Sequence, residues 1–179
     1  MRSHRSPAGW TRKYACWVSL ALRNLLFTIV VPAAGAVYAP WWILTHSGAD
    51  PQPVAWSALI LVALGLVLYA WCLWLFATVG GGTPGPWDAP QRFVAVGPYR
   101  WVRNPIYIAA GLVVVGEAWL FLSLPLFAYA GALAVGCHLF VVWYEEPALH
   151  SLFGDAYDEY RRKVSRWIPR PPVNSRSIG

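Results

Sequence analysis

The feature that most constrains this chain is a series of four long apolar stretches separated by short polar segments. The stretches cover residues 25–44, 54–78, 105–124 and 125–143. Each is close to the about 20 residues with which an α-helix crosses the hydrocarbon core of a bilayer. A mean hydropathy of +0.44 and a hydrophobic content of 58% are too high for an ordinary soluble domain. The sequence therefore predicts an all-α, polytopic membrane helical bundle with about four transmembrane helices.

The basic residues predict how this bundle is oriented. All 14 Lys and Arg residues lie in the N-terminal tail, in residues 79–104 or after residue 143. The two loops on the opposite side carry none, as the positive-inside rule requires when both termini are cytoplasmic. The net charge of +6 therefore marks a membrane face and not a nucleic-acid partner. We expect the protein to be embedded in the lipid bilayer of a bacterial inner membrane. The sequence does not indicate an oligomeric state.

The chain divides into four segments by composition. Residues 1–24 are predicted to form a cytoplasmic tail and interfacial segment, and residues 25–78 the first two transmembrane helices. Residues 79–170 are predicted to form a core with a helical hairpin and a C-terminal amphipathic helix, and residues 171–179 a disordered tail. The amphipathic helix is predicted from apolar residues that recur at helical spacing. They are Leu149, Leu152, Phe153, Ala156, Tyr157, Tyr160 and Val164. The three cysteines lack metal-ligand spacing, so no metal is expected.

A basic loop leads directly into the third apolar stretch. Asn104 followed by Pro105 is a helix start, because Asn can cap free N–H groups and proline suits the first helical position. The positive end of the helix dipole would then lie beside Arg100 and Arg103, a suitable place for an anionic group. The run of glycines from residue 80 to residue 82 predicts a non-helical loop before it.

The last two apolar stretches predict a tight hairpin that turns near Leu124. Residues at equal distances from the turn should lie at the same depth, which brings Asn104 opposite Glu145 and Glu146. His138 lies seven residues before Glu145 and is predicted on the same helix face. Glu117 lies inside the third stretch, near the turn, where a structural role is favoured although an intramembrane carboxylate is costly.

Several of these segments carry a family resemblance. They are Gly97-Pro98-Tyr99-Arg100, Arg103-Asn104-Pro105-Ile106-Tyr107, Tyr144-Glu145-Glu146-Pro147 and the run from Phe153 to Tyr160. In this order they resemble the integral-membrane methyltransferases, the superfamily of isoprenylcysteine carboxyl methyltransferases and phospholipid N-methyltransferases. The resemblance covers about residues 76–170. Asn104 and Val141 depart from the isoprenylcysteine group, which has histidine and arginine there, so the phospholipid group is the nearer one.

The resemblance implies S-adenosyl-L-methionine as methyl donor, bound at the cytoplasmic ends of the last two spans. The residues that match the cofactor-binding segments are Gly80, Gly81, Gly82, Gln91, Arg92, Phe93, Val94, Gly97, Tyr99, Asn104, Pro105, Ile106, Tyr107, Glu145 and Glu146. The cofactor carries charges of both signs, so a glutamate and Arg103 beside a helix start suit it. The predicted catalytic residues are Glu146, His138 and Arg103, with Glu146 or His138 as the candidate to accept a proton from an amine acceptor.

These inferences predict a methyltransferase that acts on a lipid-like or small amphipathic acceptor, with phospholipid N-methyltransfer as the first hypothesis. One alternative enzyme is an isoprenylcysteine-type carboxyl O-methyltransferase or a small-thiol S-methyltransferase. A non-enzymatic membrane scaffold or transporter is an alternative of another class, in which Glu117, His138 and the glutamate pair would form a relay. Binding of S-adenosylhomocysteine would separate this last alternative from the enzymes.

Overall fold

The computed structural model describes residue 30 and residues 32–47, 55–81 and 93–171, and these residues contain helices but no strand. The helices in chain order are α1 (Ala39–His46), α2 (Leu59–Leu75), α3 (Pro105–Leu120), α4 (Leu124–Phe140), α5 (Glu146–Phe153) and α6 (Asp155–Lys163). A π-helical segment, Ala34–Tyr38, precedes α1. Two more, Phe76–Gly80 and Val141–Glu145, extend α2 and α4 without a break. The all-α prediction therefore holds for the described residues.

Two continuous helices are long and apolar enough to cross a membrane. They cover Trp56–Gly80 and Leu124–Phe153, and only 17% and 11% of their most apolar windows are buried inside the protein. The core helix of a soluble protein would be mostly buried, so these apolar surfaces need a lipid environment. The helix Pro105–Leu120 is apolar but shorter. The first predicted stretch, residues 25–44, lies partly outside the described residues, and the count of four spans stays a prediction.

Two glycines allow α2 and α3 to pack closely. A Cβ atom at Gly65 would lie 2.7 Å from the carbonyl oxygen of Ala109. A Cβ atom at Gly116 would lie 3.0 Å from the backbone nitrogen of Val62. Small residues serve membrane helices in this way, because they let two backbones approach each other. This contact fixes α3, which carries the basic loop at its N-terminal end, against the long helix α2.

α3 and α4 form the predicted tight hairpin. α3 ends at Leu120 and α4 begins at Leu124. Leu122 between them has a φ of 47°, a left-handed conformation that reverses the chain. The side-chain oxygen of Ser123 accepts a hydrogen bond from the backbone N–H of Leu126 at 3.4 Å and caps α4. The third helix thus ends four residues before the predicted boundary.

The predicted C-terminal amphipathic helix is instead two helices followed by a non-helical segment. Gly154 separates α5 from α6 with a φ of 52°, a conformation that favours glycine. α6 ends at Lys163, and Val164 is extended with φ −116° and ψ 128°. We call residues 164–171 the strap. It returns across the end of the hairpin, whereas the helical spacing predicted a helix as far as Val164.

Candidate functional site

An ion triad joins the start of α3, the end of α4 and the strap. Nη1 of Arg103 donates to Oε1 of Glu146 at 2.9 Å. Arg166 donates to the same carboxylate twice, from Nε to Oε1 at 2.7 Å and from Nη2 to Oε2 at 3.0 Å. The side chain of Glu146 is only 8% exposed. A buried carboxylate that receives three charge-assisted hydrogen bonds is held firmly and stays ionised. These bonds also raise the pKa of Arg166.

The strap is bound to the basic loop by its backbone as well. The backbone N–H of Arg103 donates to the carbonyl of Ser165 at 2.8 Å, and the N–H of Arg170 donates to that of Trp101 at 2.9 Å. The side-chain amide of Asn104 donates to the carbonyl of Arg166 at 3.2 Å. The prediction that Asn104 caps α3 with its side chain is therefore wrong, since no such bond forms. Its amide is used to hold the strap.

Glu145 faces α3 and not the strap. Its Oε2 accepts a hydrogen bond from the hydroxyl of Tyr107 at 2.8 Å. Its other oxygen, Oε1, has no hydrogen bond within the described part of the chain. The pairs Arg103–Glu146 and Tyr107–Glu145 confirm that the hairpin brings the basic entrance of α3 to the two carboxylates. The adjacent glutamates differ in environment, because Glu146 is satisfied by two arginines and Glu145 retains a free acceptor.

Tyr99 is buried beside the end of α2. Its ring meets that of Phe76 edge to face at 5.7 Å, and its backbone carbonyl accepts a hydrogen bond from Tyr160 at 2.7 Å. Its hydroxyl lies near the Cys72 thiol, but it is buried without a partner in hydrogen-bonding geometry. Burial raises the pKa of Tyr99 well above its usual range, with smaller contributions from Cys72 and from Glu145. The phenol therefore stays protonated and has an unused donor.

The other residues of the basic loop mainly pack. Phe93 contacts the rings of Phe153, Tyr157 and Tyr160 at 5.3, 6.0 and 4.9 Å. This aromatic cluster attaches α5 and α6 to the loop. Val94 belongs with Tyr99 to a buried cluster that continues into α2. Phe93 and Val94, which the resemblance predicts to bind the cofactor, therefore pack against other residues and support the site.

Three further predicted residues also take part in packing. Ile106 lies against the buried cluster, and Pro105 is almost wholly buried at the start of α3. Gly97 has a φ of 58°, and a Cβ atom there would lie 2.9 Å from Leu75. A close approach of the loop to α2 therefore requires glycine at this position.

The glycine run is helical at its start, contrary to the prediction of a non-helical loop from residue 80. Gly80 ends the π-helical segment that extends α2, and Gly81 follows in a left-handed conformation with φ 67°. A glycine at the residue after a helix is the usual way to end it. Gly82, Gln91 and Arg92, which were also predicted to bind the cofactor, lie outside the described residues.

His138 faces the strap, where its Nδ1 accepts a hydrogen bond from the indole Nε1–H of Trp167 at 3.0 Å. Glu146 and His138 thus bind consecutive strap residues, Arg166 and Trp167. That His138 and Glu145 share a helix face stays a prediction. The π-helical segment Val141–Glu145 lies between the two positions, and their side chains are connected through Trp167 and Tyr107.

Glu117 lies one turn before the hairpin and apart from the triad. Its Oε2 is buried and has no hydrogen-bond partner in the described structure. The nearest tyrosine of α4, Tyr129, instead donates to the carbonyl of Gly35 at 2.7 Å. No contact connects Glu117 with His138 or the glutamate pair in the described chain, so the relay of the transporter hypothesis has no observed link.

The free polar atoms around Glu145 fit the cofactor that the resemblance implies. Nε of Arg103 and the hydroxyl of Tyr99 are both buried, and neither has a hydrogen-bond partner among the residues that the structure describes. Burying unpaired polar atoms is costly, so a ligand that pairs with them is favoured. Glu145 adds a carboxylate oxygen of opposite charge. A ligand with both a carboxylate and an ammonium group suits this donor and acceptor set.

The strap contributes residues that the sequence interpretation missed. In the sequence, Arg166 belongs to a basic cluster with Arg161, Arg162 and Lys163, and no pattern marks Trp167. No local pattern predicts their partners, because the bonds join residues 20 and 29 positions apart in the chain. A signal was nevertheless present, since Glu146 is an acidic residue at a helix end that needs more than one cation when buried.

Comparison with known protein families gives one result. A family model described as phospholipid methyltransferase matches residues 54–156. Searches of curated proteins and of solved structures gave no match. The matched range begins just before α2 and ends in α6, so it contains the basic loop, the hairpin and both glutamates. The chain belongs to the phospholipid methyltransferase family.

Proposed function

We propose that this protein is an S-adenosyl-L-methionine-dependent methyltransferase of the membrane that methylates the amine of a lipid headgroup. The observation that carries the proposal is the free oxygen of Glu145 next to the Arg103–Glu146 pair, together with two buried donors, the hydroxyl of Tyr99 and Nε of Arg103, that have no partner among the described residues. The family of the chain supports the reaction class. The two lipid-exposed apolar helices support an acceptor that arrives from the bilayer.

In this proposal different polar groups of the protein bind different parts of the cofactor. The positive start of α3 and Arg103 hold its carboxylate, and Glu145 accepts a hydrogen bond from its ammonium or its ribose. When bound, the cofactor supplies a methyl group activated on a sulfonium. The rings of Tyr99 and Tyr107 lie near Glu145 and favour a positive charge in this region. The protein contributes alignment and exclusion of water.

An amine acceptor must lose a proton before or during methyl transfer, because only the neutral amine has a free electron pair. Glu145 is better suited to receive this proton than Glu146, whose carboxylate is engaged by Arg103 and Arg166. An ion pair with two guanidinium groups stabilises the ionised form and makes Glu146 a weak base. We therefore assign Glu146 to holding the site together.

The topology of the proposal follows from the charge distribution. Arg103, Glu146 and the strap lie at one end of the hairpin, together with the basic residues of the loop and of α6. The positive-inside rule assigns this end to the cytoplasm. Four spans, with both termini cytoplasmic in a bacterial inner membrane, complete the arrangement, which lets a soluble cofactor and a lipid enter from different sides.

The test is methyl transfer by the purified protein with labelled S-adenosyl-L-methionine and lipid extract. We expect the label in amine-containing phospholipid. Incorporation into a prenylated cysteine carboxylate or a small thiol would instead support the alternative enzymes. S-adenosylhomocysteine at 100 times its Kd should stabilise the protein by about 2.7 kcal/mol. If S-adenosylhomocysteine does not stabilise the protein and no methyl group is transferred, the scaffold or transporter hypothesis is the one that remains.

A further inference from the structure

Trp167 is held in a fixed position by the residues around it. Its neighbour Arg166 is bound to Glu146, and Ser165 accepts a backbone hydrogen bond from Arg103. The indole ring of Trp167 meets the ring of Tyr107 at 6.4 Å with an interplanar angle of 71°. These contacts fix the orientation of the indole ring, and its Nε1–H therefore points at His138.

The contact determines which nitrogen of His138 carries the proton. An indole N–H can only donate, so Nδ1 of His138 must accept. A neutral imidazole has one donor and one acceptor nitrogen, so its proton is on Nε2. Protonation of Nδ1 would place two N–H groups against each other and break the contact. In the neutral ring Nε2 is therefore the donor nitrogen, and the lone pair of Nδ1 is engaged by Trp167.

Successive contacts connect His138 with the carboxylate of Glu145. His138 is bonded to Trp167, the ring of Trp167 meets that of Tyr107, and Tyr107 donates to Glu145. His138 lies seven positions before Glu145, which is at most about 10 Å along the helix axis. A ligand that contacts both side chains therefore needs two polar groups a few atoms apart. An amine and a phosphate joined by a two-carbon link meet this requirement.

We propose that His138 donates a hydrogen bond from Nε2 to a phosphodiester oxygen of the lipid acceptor, and that Trp167 is the residue that positions it. The proposal rests on the proposed function for the identity of the acceptor. The two ends of one lipid headgroup would bind at the two ends of the series His138, Trp167, Tyr107 and Glu145. The amine lies toward Glu145 and the phosphate toward His138. It also replaces the hypothesis that His138 is a general base.

The first experiment measures the tautomer directly. Nitrogen NMR of protein labelled with ¹⁵N-histidine distinguishes protonated from unprotonated ring nitrogens, and loss of a signal in His138→Leu assigns it among the four histidines. We expect an unprotonated Nδ1 and a protonated Nε2. Trp167→Phe keeps a ring beside Tyr107 but removes the donor, so the tautomers should mix. The control Trp143→Phe, at a side chain that is 72% exposed, should leave the signal unchanged.

The second experiment adds a lipid and needs no methyl transfer. Detergent-solubilised protein is titrated with short-chain phosphatidylethanolamine or with a short-chain galactolipid that lacks phosphate. The Nε2 signal of His138 should shift with the first lipid only. An equal response to both lipids, or a protonated Nδ1 before lipid is added, overturns the proposal. These results stand even if no lipid is methylated, so they separate this inference from the proposed function.

The third experiment distinguishes a donor from a base. Glutamine at position 138 can accept from Trp167 and still donate to an oxygen, whereas leucine can do neither. We expect His138→Leu to raise the KM for the phospholipid by roughly tenfold to hundredfold, and His138→Gln to restore it to within about threefold. The KM for the methyl donor should change little in both. Equal loss of kcat in both variants would indicate a base and refute the donor role.

Discussion

Replacing each of the two adjacent glutamates by glutamine should separate stability from cofactor binding. Glu146→Gln removes the only anion of the triad and leaves Arg103 and Arg166 close together in a buried place. Breaking a buried ion pair in this way costs about 3–5 kcal/mol. For a chain of this length each kcal/mol shifts Tm by about 2–4 °C, so we expect a fall of about 6–20 °C.

Glu145→Gln is the matched control, since it changes the same atoms one residue away. The amide oxygen can still accept from Tyr107, so the cost in stability should remain below about 1 kcal/mol. Loss of a charged acceptor should instead weaken binding of S-adenosyl-L-methionine by about 1.5–3 kcal/mol, or roughly tenfold to 150-fold. Glu145→Ala, which also removes the acceptor oxygen, should abolish measurable binding.

Both quantities can be measured on protein in detergent. Tryptophan fluorescence during heating gives Tm, and equilibrium binding of labelled S-adenosyl-L-methionine below Tm gives the Kd. The reasoning fails if Glu146→Gln keeps the wild-type Tm, because the triad would then contribute nothing. It also fails if Glu145→Gln binds the cofactor as tightly as the unaltered protein does. Equal effects of both variants on both quantities would contradict the division of roles.

Three further changes test the packing that supports the site. Gly65→Ala should lower Tm by an amount equivalent to about 1–3 kcal/mol, because its Cβ would meet a backbone oxygen, whereas Gly136→Ala, with nothing within 4 Å, should not lower it. Tyr160→Phe loses the bond to the carbonyl of Tyr99 and should cost about 1 kcal/mol by the same thermal assay. Gly154→Ala should cost about 1–3 kcal/mol through its positive φ, and a value near zero would mean that the α5–α6 corner relaxes freely.

The hairpin could be predicted from the sequence because it depends on counting alone. A turn near Leu124 brings position 103 to the depth of position 146 and position 104 to that of position 145, and the bond from Arg103 to Glu146 confirms it. Counting does not predict the bond from Tyr107 to Glu145. The family could also be predicted, since its motifs are continuous in sequence. Hydropathy likewise indicated the two long helices that the structure contains.

The strap could not be predicted, because its contacts depend on tertiary structure. Apolar spacing from Leu149 to Val164 suits one helix, but it contains no information on the positive φ of Gly154, which redirects the chain. Asn104 is a residue type that favours the N-cap position, yet its side-chain NH2 donates to a carbonyl of the strap and its oxygen does not cap α3. The local preference failed because a contact with a distant segment orients this side chain.

The π-helical turn at Val141–Glu145 has a consequence for comparing related chains. Glu145 contacts Tyr107 and Glu146 contacts the arginines, so the winding of the backbone decides which partners each carboxylate has. If this turn wound as an α-helix with the same number of residues, each later side chain would move by about 100° around the axis. A relative of equal length without the π-helical turn would therefore show the same pair of letters in an alignment, but its glutamates would face different neighbours. A relative that lacks both the π-helical turn and one residue would keep the glutamates where they are here. Functional labels should therefore follow the winding and not the column.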